Sequence, residues 1–174
     1  MFSNPRYKSR LLAVLLLALA ALAPTQSHAA ALTDYAENKI VDWLLRGQTF
    51  TPPATVYISL HTSACSDSAA GTEVTGGSYA RVAVTSSLAN WAGTQSAGST
   101  VASSGTGGTT SNNGVITFPA PTANWGSVTH VGFADASTAG NQVVCAALTT
   151  AKTINNGDAA PSFAAAALTF QQDN

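Results

Sequence analysis

Short segments in which apolar and polar residues alternate recur from residue 55 onward, and this pattern constrains the fold of the chain more than any other feature. In the first segment, residues 56–61, every second side chain is Val, Ile or Leu, and a period of two indicates a half-buried β-strand. Further candidate strands lie at residues 78–85, 114–119, 128–136, 142–150 and 165–171. Turn residues such as Gly76, Gly77 and the sequence NNGD at 155–158 separate them. The pattern predicts a mainly β fold, an antiparallel β-sandwich of jelly-roll-like form.

A single N-terminal amphipathic helix is predicted ahead of the strands, over residues 33–46. Thr33 occupies the capping position and Gly47 follows the last turn, as expected at the two ends of a helix. The apolar side chains recur at helical spacing and comprise Ala36, Ile40, Trp43 and Leu44, with Leu32 just before the helix. Such a stripe is typical of a helix face that packs on a core, so we expect this face to be buried.

Residues 1–29 have the layout of a secretory signal peptide. Basic residues precede an apolar run over residues 11–23, and small residues follow it up to Ala29. A basic start, a short apolar stretch and a small-residue cleavage site are the parts of such a peptide, and the run is shorter than the ~20 residues that span a membrane. We expect cleavage after Ala29, with a cut after Ala31 as the alternative. An uncleaved anchor and a buried helix are the other interpretations.

Without that segment the chain is poor in basic residues. Its cations are Lys39, Arg46, Arg81 and Lys152, against eight acidic residues. A surface with so few cations offers little to a phosphate backbone or to an anionic membrane, so we expect no nucleic-acid partner and no membrane attachment after cleavage. Residues 30–174 have the size of one domain. We expect a single β-sandwich domain that is secreted to the cell surface or the medium.

The cysteines, Cys65 and Cys145, both lie in the part that would be exported. In an oxidising compartment an even number of cysteines indicates a disulfide, so we predict that these two are bonded to each other. Such a bond would close a long loop and stabilise the fold by about 4 kcal/mol. Two separate buried thiols are the alternative. Two cysteines and scattered histidines do not form a recognisable ligand set, so we predict no metal and no other cofactor.

Residues 93–114 form a low-complexity stretch of Ser, Thr and Gly in which Val101 is the only sizeable apolar side chain. A segment of this composition buries too little apolar surface to offset the entropy that it loses on ordering. We expect a long, flexible, exposed loop. A receptor-contacting tip or an O-glycosylated segment is a further interpretation that the composition allows.

No motif indicates catalysis. His61 and His130 lie within strand patterns, and no GxSxG sequence accompanies them. Because serines are abundant, a Ser–His–Asp set is easy to draw and carries little information. Aromatic side chains offer another role, since exposed rings stack on sugars. Trp91 and Tyr57 are the candidates for such a ligand contact, whereas Trp125 opens a strand and is expected to lie in the core or to anchor a loop.

The order of motifs in the exported part resembles the phage tail fibre proteins of tailed-phage virions. The resemblance is carried by the helix segment LTDYAENKIVDWLLRG, by EVTGGSYAR at residues 73–81, by FPAPTANWG at 118–126 and by NNGD at 155–158. It extends from Leu32 to about Phe170. The resemblance implies a structural protein without catalytic residues.

Residues within these motifs are expected to act as parts of a scaffold: Glu73, Tyr79, Arg81, Trp125, Gly157 and Asp158. Arg81 is one of few cations, so we expect it to pair with Glu73 or Asp135 and to fix a loop. In NNGD, Gly157 is expected to supply the positive φ of a hairpin turn.

The export signal and the cysteine pair distinguish this chain from virion proteins, which assemble in the host cytoplasm. We therefore predict a secreted, non-catalytic structural protein, a subunit of an extracellular filament or of another surface assembly made of copies of itself. The alternative is a secreted module that binds carbohydrates or cell surfaces, with cell-surface glycans as its partners. A secreted hydrolase that uses His61 or His130 is the third interpretation.

Overall fold

The computed structural model describes residues 31–172, so the predicted signal peptide, residues 1–29, lies outside the described residues. One helix, α1, spans Asp34–Leu45. The strands are β1 (Ala31–Leu32), β2 (Thr55–His61), β3 (Val82–Thr85), β4 (Thr109–Ser111), β5 (Ile116–Thr117), β6 (Gly126–Ala134), β7 (Gln142–Ile154), β8 (Ser162–Phe163) and β9 (Thr169–Gln171). All strand pairs are antiparallel. The predicted fold class, mainly β with one N-terminal helix, is confirmed.

A five-stranded sheet in the order β1-β7-β6-β2-β3 forms the centre of the fold. The register places Ile58 on β2 opposite Phe133 on β6, and Phe133 opposite Val144 on β7. The next position along β2, Ser59, lies opposite Gly132, which lies opposite Cys145. Because successive side chains of a strand point to opposite sides, the sheet has one apolar face and one polar face.

The apolar face is defined by Ile58, Leu60, Val131, Phe133 and Val144, all buried. It packs in one hydrophobic core with a second layer that contributes Ile116, Phe118, Trp125 and Leu168. That layer is built from two short sheets, β4 with β9 and β5 with β8, and from the loops between them. The arrangement is sandwich-like, with short strand pairs in place of a second continuous sheet.

The polar face is defined by Ser59, His61, Gly132 and Cys145. The segment 62–73 is fixed against this face by a disulfide between Cys65 and Cys145, whose Cα atoms are 6.2 Å apart. The predicted disulfide is therefore confirmed. Ser59 and His61 are 1% and 2% exposed, although the alternation predicted only a half-buried strand. The covering segment is the reason, since period-two patterning does not reveal what lies over the polar side.

Helix α1 starts beside this segment, where the backbone N–H of Asp34 donates to the carbonyl of Asp67 at 2.9 Å. Thr33 precedes the helix as predicted, but its side chain makes no capping hydrogen bond. Its hydroxyl donates instead to the carbonyl of Gln142 on β7. The start of the helix is thus tied to the central sheet.

The expectation that the apolar stripe of α1 packs on the core is wrong for the second half of the helix. Ala36 is 3% exposed and Ile40 is half-buried, but Trp43 is 56% and Leu44 is 65% exposed. Among the described elements, α1 contacts β1 and β7 alone. The helix docks through its first half, and the second half has no partner among residues 31–172. The periodicity identified an apolar face without identifying what covers it.

The Ser/Thr/Gly-rich stretch is only partly the exposed loop that its composition predicts. Residues 95–107 are mostly exposed, but β4 lies within the stretch, and Ser111 and Asn112 are buried. The side-chain amide of Asn112 donates to the carbonyls of Gly114 and Ala164 at 2.7 and 2.8 Å. Its side-chain oxygen accepts a hydrogen bond from the backbone N–H of Leu168, just before β9, at 2.8 Å. These directional bonds order a segment that has almost no apolar surface to bury.

Candidate functional site

A charged cluster joins three segments next to the polar face. Arg81 donates to the carboxylate of Glu73 through two hydrogen bonds of 2.8 Å, from Nε and Nη2. Its Nη1 donates to the carbonyls of Ala136 and Ala139, in the turn after β6, at 2.7 and 2.8 Å. Such two-pronged pairing is strong and directional. Arg81 pairs with Glu73 and not with Asp135, which makes its hydrogen bonds within that turn.

Tyr79 connects this ion pair to the central sheet. Its hydroxyl donates to Glu73 Oε1 and accepts from the backbone N–H of Leu60, with both distances 2.9 Å. Its ring lies edge-on to the ring of Trp125, with centroids 5.3 Å apart. The indole Nε1 of Trp125 donates to the carbonyl of Gly77 at 3.0 Å. Trp125 is therefore a buried link between β6 and the segment that carries Tyr79.

The ionisation of the cluster follows from burial and hydrogen bonding. Burial by itself raises the pKa of Glu73, but the hydrogen bonds from Arg81 and Tyr79 outweigh it, and the net pKa lies below the usual value for glutamate. The hydrogen bond to Glu73 raises the pKa of Arg81, and burial raises the pKa of Tyr79. At neutral pH the cluster is an ion pair with a neutral phenol donor. The carboxylate of Glu73 therefore has its hydrogen bonds supplied by Arg81 and Tyr79.

A buried Ser–His pair lies beside this cluster, and the sequence patterns did not single it out. Ser59 Oγ and His61 Nε2 are 2.8 Å apart, and His61 is bridged to Glu73 through the backbone. Gly132 makes room for the pair, because a Cβ at this position would lie 2.6 Å from Ser59 Oγ and 2.8 Å from His61 Nε2. Alternation along β2 places Ser59 and His61 on one face, and the register of β2 and β6 places Gly132 opposite Ser59.

This Ser–His pair lacks the surroundings of a catalytic nucleophile. A serine activated by histidine requires an orienting acceptor at the second ring nitrogen and access for a substrate. Within the described residues, His61 Nδ1 has no hydrogen-bond partner, and the carboxylate of Glu73 is occupied by Arg81 and Tyr79. Burial lowers the pKa of His61, against the opposing effect of the negative charge of Glu73. The imidazole is therefore held neutral in the interior.

Trp91 and Tyr57, the predicted ligand contacts, do not form a common surface. Trp91 is half-buried and packs against Phe133, with ring centroids 5.6 Å apart, on the side of the apolar face. Tyr57 is half-buried, lies opposite Ala134, and by alternation belongs to the polar face. The sheet thus separates the two aromatic residues.

The exposed edge of Trp91 lines an open groove of about 530 Å³. Leu88 and Phe170 form its apolar walls together with Trp91. Residues with hydroxyl groups also line it, among them Ser87, Thr94, Ser103 and Thr110. The Ser/Thr/Gly-rich stretch therefore borders the groove. An aromatic edge among hydroxyl groups suits a polar ligand that has apolar patches.

The NNGD sequence forms the turn after β7. Gly157 has a φ of 80°, a value that only glycine adopts without strain. Its backbone N–H donates to the carbonyl of Pro121 at 3.0 Å. The carboxylate of Asp158 accepts from the backbone N–H of Asn155 at 2.8 Å. Together these bonds fix the turn to the loop that carries FPAPTANWG.

Residues 31–172 contain neither a group of metal-ligating side chains nor a helix that could cross a membrane. No three His, Cys, Asp or Glu side chains in this range are grouped so that they could hold a metal ion. The helix in the same range lacks the length and apolar character needed to cross a membrane.

Comparison with protein-family models matches residues 31–171 to one family, Gp80, described as Podophage GP4 fiber I protein gp80. A search of curated proteins finds no match. The family match includes the central sheet, the disulfide, the charged cluster and the NNGD turn, and it confirms the resemblance to phage tail fibre proteins. Because the match extends over almost all of the described residues, the chain belongs to the Podophage GP4 fiber I protein gp80 family.

Proposed function

We propose that this chain is an exported, non-catalytic structural subunit of an extracellular fibre or surface assembly built from copies of itself. The observation that carries the proposal is membership of a fibre protein family over residues 31–171. A fibre subunit needs a rigid body and contact surfaces, and it needs no reaction centre.

The use of the polar side chains supports a structural role. Glu73, Tyr79 and Arg81 are each engaged in hydrogen bonds that join separate segments. The Ser59–His61 pair is enclosed. These groups brace the protein internally, which is the role expected of polar residues in a load-bearing subunit.

Export is the second part of the proposal, and it is supported by the layout of residues 1–29 and by the disulfide. Disulfides persist in oxidising compartments and are rare in the cytosol. Intact-mass measurement and N-terminal sequencing of the protein recovered from the culture medium should give Ala30 as the first residue and the mass of the oxidised chain. A full-length, reduced protein retained in the cytosol would refute export.

Assembly is tested on the same purified material. We expect negative-stain electron microscopy to show fibres or regular particles, and light scattering after size exclusion to give a mass above that of one chain. A monomer at every concentration, with no particles in the micrographs, would contradict the proposal.

A second candidate function, binding of cell-surface glycans, is favoured by the groove beside Trp91. The test is a glycan array probed with the wild type and with Leu88→Ser, since Leu88 is 55% exposed and lines the groove. Val115→Ser, at a 64% exposed position that is not part of the groove lining, is the matched control. Glycan binding that is lost in Leu88→Ser alone would establish this function, and an array without signal for the wild type would eliminate it.

A further inference from the structure

The second half of α1 carries an apolar surface that no described part of the chain covers. We call it the α1 patch and define it by Val41, Trp43, Leu44 and Leu45, whose exposed fractions are 47%, 56%, 65% and 77%. At 3.6 residues per turn, these side chains extend around roughly 200° of the helix. A helix that is apolar over so much of its circumference is normally enclosed, and large contiguous apolar patches on soluble proteins mark contact sites.

The charges around the α1 patch argue against a lipid surface as its occupant. Helices that lie on membranes carry Lys and Arg on their polar face. On α1 the polar positions include Asp34, Glu37 and Asp42, with Lys39 as the only cation inside the helix. Anionic headgroups would be repelled by this face.

The same charges are compatible with a second copy of this chain as the partner, because the charges next to the α1 patch compensate each other. Asp42 and Arg46 pair with each other at 3.3 Å beside the patch, and Lys39 lies one turn before Trp43. The other acids of the helix, Asp34 and Glu37, lie in its first turn, away from the patch. When two copies meet through their patches with the two helices antiparallel, apolar surface meets apolar surface beside the compensated Asp42–Arg46 pair, and the acidic first turns lie at opposite ends of the contact.

We propose that the α1 patch packs against the α1 patch of a second copy of this chain, and that this contact is a subunit interface of the assembly. A stable interface buries about 800 Å² on each partner, with an apolar centre and a polar rim. The four patch residues supply the centre, and the mostly exposed residues 47–54 that follow the helix supply the rim. The choice of a second copy rests on the proposed function, whereas the location of the contact rests on the exposure of α1.

The test compares sedimentation velocity of the exported wild-type protein with that of Leu45→Glu over a wide concentration range. Leu45 is 77% exposed, so the substitution should leave the fold intact, and an unchanged circular dichroism spectrum verifies this. We expect the wild type to associate and the variant to need about tenfold or more protein for the same association, because a charge is buried at the centre of the contact. Val115→Glu, at a position that is 64% exposed away from the helix, should associate like the wild type.

A photo-crosslinking residue at position 45 gives an independent measurement. We expect a crosslinked dimer of the chain, with the crosslink mapping to α1 of the second copy. An assembly that forms normally in Leu45→Glu, with crosslinks to other segments, would overturn the α1 contact and leave the fibre proposal standing. A wild type that stays monomeric at all concentrations would refute both. Binding of the wild type to phosphatidylcholine/phosphatidylglycerol vesicles that is lost in Leu45→Glu would assign the patch to a membrane and also overturn the proposal.

Discussion

The two faces of the central sheet are stabilised by different physical means. The apolar face is held by the burial of side chains such as Ile58 and Phe133 against the second layer, an interaction that is large in sum and tolerant of small changes in shape. The polar face is held by one covalent bond and by hydrogen bonds with fixed partners. The apolar face should therefore respond to substitution gradually, whereas the polar face should fail when a single partner is removed.

Removal of the disulfide should have the largest effect. The bond joins residues separated by 80 positions, and opening a loop of this length should lower the free energy of unfolding by about 4 kcal/mol. Urea denaturation of Cys65→Ala/Cys145→Ala measures this loss. In hydrogen exchange, the double variant should exchange faster than the wild type, and the increase should be larger in the segment 62–73 than in the strands of the core. A double variant with wild-type stability would contradict the idea that the polar face depends on the bond.

Loss of Arg81 should have the next largest effect. In Arg81→Met, the partly buried carboxylate of Glu73 loses its cation and the carbonyls of Ala136 and Ala139 lose their donor, which should cost about 2 kcal/mol. Urea denaturation measures this cost as well. Lys152→Met removes an exposed cation from β7 and should cost almost nothing. Adding Glu73→Gln to Arg81→Met should recover part of the loss, and strict additivity of the two substitutions would show that the pair is not coupled.

A methyl group added at position 132 tests the close packing of the polar face. In Gly132→Ala the new Cβ would meet Ser59 Oγ at 2.6 Å and His61 Nε2 at 2.8 Å, so the pair must shift, at a cost of about 1–3 kcal/mol. The counterpart on the apolar face is Ile58→Val, which removes one methyl group and should cost about 1 kcal/mol. Thermal unfolding of the two variants measures both costs. A larger loss of stability in Ile58→Val than in Gly132→Ala would contradict the proposed contrast between the two faces.

Acid should weaken the polar face before it weakens the rest of the protein, and this is the smallest of the expected effects. Burial lowers the pKa of His61 from its usual value of 6.5. The unfolded chain therefore takes up this proton first, so the stabilisation is complete above pH 6.5 and falls as the pH drops below it. The lowered pKa of Glu73 adds a second loss only below its usual value of 4.5. Between the usual pKa values of histidine, 6.5, and glutamate, 4.5, the free energy of unfolding should decline with falling pH in the wild type and stay flat in His61→Gln. Equal slopes would exclude His61 as the cause.

The three long strands of the central sheet were predictable because each is long enough to show a period. β2, β6 and β7 all lie where alternating residues indicated them, and the helix bounds agree to within a residue at each end. The strands β1, β4 and β8 have two or three residues and show no period. They form because a partner strand is nearby, which is information that a local pattern does not contain.

The candidate site illustrates the same limit at the level of side chains. The alternation assigned Ser59 and His61 to the side away from the core, and this is where they lie, but the segment that covers them is joined through Cys145, far along the chain. Asn112 looks like a loop residue because its neighbours are Ser, Thr and Gly. Its burial depends on carbonyl groups such as that of Ala164, which is 52 positions away. Contacts of this kind become visible only when the topology is known.

The position of the disulfide also determines how the protein would respond to tension. β1 pairs with β7 so that Ala31 lies opposite Cys145, and a pull applied at the start of the domain is therefore transmitted directly to the bonded residue. The chain between Cys65 and Cys145 spans 80 positions, a contour of about 270 Å when fully extended, and an intact bond withholds all of it from stretching. Under shear, a fibre of such subunits would yield by a limited extension at the ends of each domain while the closed loop kept its length.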